Sequence, residues 1–158
     1  MTCSYKLTES EVVNAMKLNG RGSNKTLVAL IIIGLMLVLV GTFTEYKGLG
    51  FGGAVGGLIG YFSVMFVLIP FNAKKQYREH RALRTEITML LLEQGIHFKN
   101  DSGESKLQWS DIRKWKYGKG IYLLYITSNI FHTVPSRALS NENEFSNLLG
   151  ERVGPRSA

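Results

Sequence analysis

The hydrophobic pattern of the chain is dominated by two long apolar runs, 26–43 and 49–71, and neither contains a charged side chain. At a rise of about 1.5 Å per residue, each run is long enough to cross most or all of a hydrocarbon layer about 30 Å thick. The link between them, 44–48, is too short to form a domain. The pattern therefore predicts an antiparallel hairpin of two transmembrane helices over 26–71.

The distribution of basic residues predicts how this hairpin is oriented. Four lysines and arginines precede the first run, one lies in the link, and five follow the second run within 72–84. Because cytoplasmic flanks of transmembrane helices carry an excess of lysine and arginine, both ends of this multi-pass chain are expected in the cytoplasm. Residues 1–25 are polar and lack the pattern of a cleaved signal peptide, so we expect the first run to act as signal and anchor together.

The N-terminal segment, 1–25, carries the signature of one short helix. Thr8 and Glu11 have the spacing of a capping box, and Val12 and Met16 follow at roughly helical spacing. We expect an amphipathic helix that lies on the cytoplasmic membrane face, broken before the first apolar run by the glycine- and asparagine-rich stretch 19–24.

The second apolar run differs from the first in its glycines, which recur every four residues at Gly48, Gly52, Gly56 and Gly60. In a helix this spacing makes a smooth stripe that lets another backbone approach closely. One interpretation is packing against the first helix of the same hairpin. The other is an interface between subunits, or a tight face lining a pore, and the sequence leaves both open.

The segment 72–84 is expected to continue the second helix beyond the membrane as a basic juxtamembrane helix. Its basic side chains are candidates for binding acidic lipid headgroups: Lys74, Lys75, Arg78, Arg81 and Arg84. Each basic residue beside an anionic leaflet contributes about 1 kcal/mol to membrane association. In a continuous helix Lys74, Arg78 and Arg81 would share one face. The alternative is that these charges only fix the topology.

From Thr85 the period of the apolar residues changes from helical to alternating, which predicts a strand-rich domain over 85–150 followed by a tail, 151–158. Expected strands cover 85–92, 96–98, 106–112, 114–117, 121–126 and 130–134, with glycine- and asparagine-rich turns between them. Ser140 or Asn141 would cap a final helix that buries Phe145, Leu148 and Leu149. The predicted fold class is thus a membrane α-helical hairpin plus a small α+β domain, an antiparallel partial barrel capped by the C-terminal helix.

Several segments of this domain resemble the YcxB-like family of bacterial membrane proteins. The resemblance is carried by Gln94-Gly95-Ile96, by the tryptophan-centred stretch 106–112, by 121–125, and by Val134-Pro135-Ser136-Arg137-Ala138-Leu139 with the helix start 143–145. Leu139 stands where such segments commonly have an aromatic residue. The resemblance implies a pleckstrin-homology-like barrel on a bacterial cytoplasmic (inner) membrane protein, and it supplies no catalytic residue.

The patterns that carry known chemistry are missing from the sequence. His80, His97 and His132 are spread over different predicted elements, with no carboxylate or cysteine at metal-ligand spacing, and Cys3 is the only cysteine. Nucleophile-elbow, phosphate-loop and zinc-protease motifs are absent. Neither apolar run holds an ionisable group of the kind that transporters usually need. We therefore expect no catalytic residue, cofactor, metal or nucleic-acid ligand.

Two side chains of the predicted domain are candidates for binding a partner. Arg137 follows Pro135 and is expected to be exposed, and Trp115 could dock a protein or the membrane interface. The sequence as a whole predicts a membrane-anchored, non-enzymatic interaction or regulatory protein. Its cytoplasmic domain would bind a protein partner or an acidic lipid headgroup. The alternative is a small oligomeric pore or transport accessory subunit, a homo-oligomer assembled through the glycine stripe.

Overall fold

The computed structural model describes residues 2–20, 24–43 and 47–157. Five α-helical segments occur in chain order: α1 Glu9–Gly20, α2 Asn24–Phe43, α3 Lys47–Ser63, α4 Ile69–Glu79 and α5 Glu142–Arg152. Seven strands accompany them: β1 Thr2–Tyr5, β2 Ile87–Leu92, β3 Gly95–Asn100, β4 Gly103–Gln108, β5 Lys114–Gly118, β6 Ile121–Tyr125 and β7 Phe131–Pro135. Short 3-10 turns cover Arg81–Arg84, Trp109–Asp111 and Ser136–Ala138.

The second apolar run forms one continuous helix, in which the π-helical turn Val64–Leu68 joins α3 to α4. The π-helical turn lies just before Pro70, whose ring would clash with the carbonyl four residues earlier in a regular helix. Among the described residues, Gly52–Glu79 is the one helix long and apolar enough to cross a membrane, while the apolar helix Ile31–Phe43 is shorter. The helix Gly52–Glu79 could therefore cross a membrane, while a crossing by the first apolar run, and with it the multi-pass topology, stays a prediction.

The helix α2 packs beside α3, as expected for a hairpin. The tip of the predicted link, 44–46, and the centre of the predicted break before α2, 21–23, lie outside the described residues.

The strands form two antiparallel sheets that are not closed into a barrel. The first sheet has the order β1-β2-β3-β4 and the second the order β5-β6-β7. Between them the 3-10 turn Trp109–Asp111 redirects the chain from β4 to β5. The predicted α+β domain is confirmed, and the finer prediction of a partial barrel stays a prediction.

The strand β1 was not predicted, because the segment 1–25 was expected to stay separate from the β-domain. Instead β1 extends the first sheet at β2, with Thr2 opposite Leu90 and Tyr5 opposite Ile87. The first sheet is thus completed by residues that precede both apolar helices.

The predicted third strand, 106–112, is shorter than expected at its C-terminal end. β4 stops at Gln108, where the backbone N–H of Gln108 donates to Asp111 Oδ2 at 3.0 Å. This capping interaction starts the 3-10 turn, and Trp109 Nε1 within it donates to the carbonyl oxygen of Glu93 at 2.9 Å. The polar side chains of the sequence therefore end the strand where apolar alternation alone predicted its continuation.

The helix α1 has the predicted capping box. Thr8 N–H donates to Glu11 Oε2 at 2.8 Å, and Glu11 N–H donates to Thr8 Oγ1 at 3.3 Å. Its apolar residues Val12 and Ala15 are buried. They are covered by α4 on one side and by β5 and β6 on the other, so α1 is a packed layer between the long helix and the second sheet.

The strand β6 is buried on both faces, which explains its unbroken apolar sequence. Tyr122 and Leu124 point into the main core, where α5 adds Phe145 as predicted. The alternate residues Ile121, Leu123 and Tyr125 form a second cluster with Ala15 of α1. The domain core is therefore complete only when the N-terminal helix is in place.

Candidate functional site

The junction between α1 and α4 brings the N-terminal segment against the basic segment that follows the long helix. Glu9 Oε1 lies 3.5 Å from Lys74 Nζ, and Glu9 Oε2 lies 3.8 Å from Arg78 Nε. One turn away, the hydroxyl of Tyr77 donates to the carbonyl oxygen of Leu7 at 3.1 Å. These contacts hold the start of α1 against the C-terminal end of α4.

The five predicted headgroup ligands do not form one helical stripe. Lys74 and Arg78 share Glu9, and Lys75 Nζ lies 3.9 Å from Glu79. The helix ends at Glu79, because His80 takes extended backbone angles. Arg81 and Arg84 therefore lie in a separate 3-10 turn rather than on the face of Lys74 and Arg78.

All five of these basic side chains are nevertheless accessible to solvent. The side chains of Lys74, Lys75 and Arg78 are 54%, 62% and 73% exposed despite their ion pairs, and Arg81 and Arg84 are exposed as well. Ion pairs at such exposure contribute little to stability, so they do not prevent the same groups from meeting phosphate oxygens.

The four glycines of the predicted stripe face away from α2. A Cβ atom added to Gly48, Gly52, Gly56 or Gly60 would have no described neighbour within 4 Å outside its own helix backbone. A Cβ atom on Gly53 would lie 3.6 Å from Leu37 Cδ1. Helix α2 thus packs beside the stripe rather than on it.

The two predicted partner-binding residues are both engaged within the fold. Arg137 Nε donates to Glu11 Oε1 at 2.7 Å, and its Nη2 donates to the carbonyl oxygen of Lys6 at 2.7 Å. Trp115 is 4% exposed, and its Nε1 donates to the carbonyl oxygen of Gly154 at 2.8 Å. Their roles in binding a partner stay predictions.

The structure also shows the surroundings of three basic side chains that the sequence analysis did not single out. Lys17 Nζ lies 5.6 Å from the centre of the Phe66 ring, and Lys114 Nζ lies 4.7 Å from the centre of the Tyr125 ring. Lys119 is exposed at the tip of the β5–β6 hairpin. The sequence feature that could have identified Lys114 and Lys119 is the stretch 113–119, which holds four basic residues and no acidic one. It is hidden when charge is averaged over the whole domain.

The histidines are placed on separate elements. His80 follows α4 directly. His97 Nε2 lies 3.4 Å from Glu104 Oε2. The ring of His132 stacks on that of Phe98, with ring centres 4.3 Å apart. Burial lowers the pKa of His132 below its ordinary value. Within the described ranges 2–20, 24–43 and 47–157, no group of three or more His, Cys, Asp or Glu residues could hold a metal ion.

The fold and these surfaces define a class of protein: a small α+β domain tied to a helix of membrane length. Residues 91–149, from the end of β2 into α5, match the YcxB-like protein family. This segment of the chain is therefore YcxB-like, and the resemblance expected from its sequence is confirmed over these residues. A search of curated proteins found no match to the chain.

Proposed function

We propose that this protein is a membrane-anchored, non-enzymatic interaction or regulatory protein of the bacterial cytoplasmic membrane. Both apolar helices cross the membrane, both ends of the chain lie in the cytoplasm, and the β-domain binds a protein partner or an acidic lipid headgroup. One observation carries the proposal: α1 fastens the β-domain to the end of the membrane-length helix, through Lys17 on Phe66 and Glu9 on Lys74 and Arg78.

The arrangement of the domain supports a pleckstrin-homology-like architecture, as the family resemblance implies. A four-stranded and a three-stranded antiparallel sheet share one core, and the C-terminal helix α5 covers it with Phe145 and Leu149. In this chain the first strand comes from before the membrane helices. A β-domain built from both sides of the hairpin is held close to the membrane surface, where it can meet headgroups or other membrane proteins.

Single-cysteine labelling tests the anchoring and its topology. In a chain with Cys3→Ser, the variant Glu45→Cys is expected to react with a membrane-impermeant maleimide in spheroplasts, whose inner membrane is intact. The variant Ser102→Cys should react only after that membrane is permeabilised. Release of the protein by alkaline carbonate, or labelling of position 102 in intact spheroplasts, would contradict the proposal.

Photocrosslinking in native membranes tests the interaction itself. A photoreactive residue at Arg81 or Arg84, both exposed beside the end of the long helix, is expected to give a discrete adduct with a lipid or a protein. The exposed site Asn143 on α5 provides the control position. If neither site near the membrane gives an adduct above that control, the interaction role fails.

A second candidate function is an oligomeric membrane assembly, either a small pore or a transport accessory subunit. The observation in its favour is that a Cβ atom added to Gly52, Gly56 or Gly60 would meet no described atom within 4 Å outside its own helix backbone. Close helix contact between copies is the known use of such stripes.

Native mass spectrometry of the full chain in detergent separates the two functions. A ring-sized oligomer that conducts ions in vesicles, and that Gly56→Leu dissociates, supports the pore. Gly34→Leu is the matched control. A Cβ atom at Gly34 also meets no described atom within 4 Å, but Gly34 lies on α2, outside the glycine stripe. A monomer or dimer that retains a partner or lipid supports the anchored interaction protein.

A further inference from the structure

The two ends of α1 carry opposite charges and lie at different depths along the long helix. The acidic end, with Glu9 and Glu11, faces the C-terminal end of α4, where Glu9 pairs with Lys74 and Arg78. The last charged residue of α1 is Lys17. Because α1 and α4 run antiparallel, Lys17 and the residues after it lie towards the apolar part of the long helix.

Contacts at this end place it level with the last turns of the apolar run. Lys17 Nζ lies 5.6 Å from the centre of the Phe66 ring, and a Cβ atom on Gly20 would come within 2.7 Å of Ile69 Cδ1. The apolar run ends at Phe71. From Phe66 to Phe71 the helix rises about 8 Å. The headgroup layer on each side of a bilayer is about 5–8 Å thick. In the proposed anchoring, a hydrocarbon segment that ends near Phe66 therefore places the end of α1 at the membrane interface.

The same end of α1 also touches both ends of the β5–β6 ladder. A Cβ atom on Gly118 would lie 3.0 Å from Leu18 Cδ1. At the other end, Asn19 Oδ1 accepts a hydrogen bond from the Tyr125 hydroxyl at 3.0 Å. Lys119 follows Gly118 directly. Both ends of the β5–β6 hairpin thus lie beside the last turn of α1, which itself packs against the long helix.

We propose that Lys17, Lys114 and Lys119, here named the basic end face, lie against anionic lipid headgroups beside the long helix. Lys114 belongs to this face because its Nζ lies over the ring of Tyr125, 4.7 Å from the ring centre. The stretch 113–119 offers no carboxylate to neutralise it. The inference rests on the proposed membrane anchoring and adds the surface that meets the lipid, separate from the basic residues of 74–84.

The backbone at Lys119 makes one member of this face testable without unfolding the domain. Lys119 has φ of +52° and Gly120 has φ of +72°, which are the angles of a two-residue hairpin turn with both central residues left-handed. Asparagine and glycine suit such positions better than lysine does. Lys119→Asn therefore removes the charge and leaves the hairpin at least as stable.

Lysine acylation of the full wild-type chain in vesicles is the first test. In vesicles of phosphatidylcholine and phosphatidylglycerol, Lys17, Lys114 and Lys119 are expected to react at least threefold more slowly than in phosphatidylcholine alone. The protection should weaken in 0.5 M salt, which screens charges within a few ångströms. Lys99 and Lys106, exposed on the first sheet, are internal controls whose rates should not change.

Charge removal is the second test. The pair Lys17→Gln and Lys119→Asn should retain at least tenfold less phosphatidylglycerol in native mass spectrometry, at about fivefold per lysine. The matched pair Lys99→Gln and Lys106→Gln should retain as much as the wild type. Equal retention by both pairs overturns the proposal.

The outcomes separate this inference from the function on which it rests. Release of the chain by alkaline carbonate contradicts the anchoring itself. Resistance to carbonate with an unprotected basic end face contradicts only the lipid contact. Protection that appears in native membranes, but not in synthetic vesicles, assigns the face to an acidic protein and also overturns the lipid contact.

Discussion

Arg137, in the 3-10 turn after the last strand, forms a two-pronged ion pair with Glu11 of α1, the helix that precedes both apolar segments. Nε of Arg137 donates to Oε1 of Glu11 at 2.7 Å, and Nη2 donates to Oε2 at 3.0 Å. Nη2 also donates to the carbonyl oxygen of Lys6 at 2.7 Å. The pair thus ties the β-domain to its N-terminal portion, although both apolar helices lie between Glu11 and Arg137 in the chain.

This pair predicts a pH dependence of stability. Burial acts to raise the pKa of Glu11, but hydrogen bonds from Arg137 and Thr8 outweigh it and hold that pKa below its ordinary 4.5. A carboxyl group whose pKa is lower in the folded state than in the unfolded chain adds to the free energy of unfolding above pH 4.5. This contribution is lost as the pH falls through the folded-state pKa. Denaturation followed by tryptophan fluorescence should therefore show stability falling below pH 4.5.

The variant Glu11→Gln should lose roughly 1–2 kcal/mol of unfolding free energy at pH 7, because a charge-assisted pair is removed. Its stability should also change less between pH 5 and pH 3 than that of the wild type. Glu144→Gln, an exposed position on α5, is the control and should keep the wild-type profile. An unchanged profile in the Glu11 variant would show that the pair contributes nothing to stability.

Most of the β-domain could be predicted from the sequence, because its signals are local. Short apolar runs bounded by turn residues mark β2 and β6, and Asn141 caps α5 by accepting from the N–H of Glu144 at 3.2 Å. The strand β1 could not be found in this way. Only one of its four side chains, that of Tyr5, is buried, and its partner strand β2 lies more than eighty residues away in the chain. Such pairing is decided by tertiary contacts rather than by local propensity.

Gly95 predicts a severe effect of the smallest substitution. A Cβ atom there would overlap the carbonyl oxygen of Leu107 and lie 2.8 Å from Cα of Gln108, both backbone atoms of β4. Gly95→Ala should therefore force β3 and β4 apart and lower the midpoint of thermal unfolding by many degrees, or prevent accumulation of the folded protein.

Gly150→Ala is the matched substitution. Gly150 lies exposed in α5, and an added Cβ atom meets no described neighbour within 4 Å. Because alanine favours a helix over glycine by up to about 1 kcal/mol, this variant should be at least as stable as the wild type. Comparable loss in both variants would contradict the assigned close approach of β3 and β4.

The candidate membrane surface could be predicted only in part. The basic residues of 74–84 are evident from the sequence, since they follow a long apolar run. The place of Lys114 and Lys119 depends on α1, which packs across β5 and β6. Leu18 of α1 lies beside Gly118, and Asn19 accepts a hydrogen bond from Tyr125. No local pattern encodes that packing. The partners of Arg137 were missed for the same reason, because Glu11 is distant in the sequence.

His132 predicts a second pH effect, which begins at a higher pH than that of Glu11. Its ring stacks on Phe98 at 4.3 Å between centres, and burial lowers its pKa below the ordinary 6.5. Below pH 6.5 the unfolded chain then binds more protons than the folded one. The free energy of unfolding should therefore decrease as the pH is lowered from 6.5, until the pH passes the folded-state pKa of His132. His132→Phe should flatten this part of the profile, and His80→Gln, at an exposed site, should not.

The hydrogen bond between Tyr125 and Asn19 predicts how firmly the C-terminal end of α1 is held. The Tyr125 hydroxyl donates to Asn19 Oδ1 at 3.0 Å, and burial raises the pKa of this phenol to about 12, so it stays a donor at neutral pH. Tyr125→Phe keeps the ring and removes the bond, at a cost of about 1 kcal/mol. Amide exchange in the last turn of α1 should then be about fivefold faster, while exchange in β2 and β3 should not change.

Tyr5→Phe, which removes a bond to the carbonyl oxygen of Thr133, should instead leave the last turn of α1 protected. If exchange in that turn is the same in both variants, α1 is held by its apolar contacts alone.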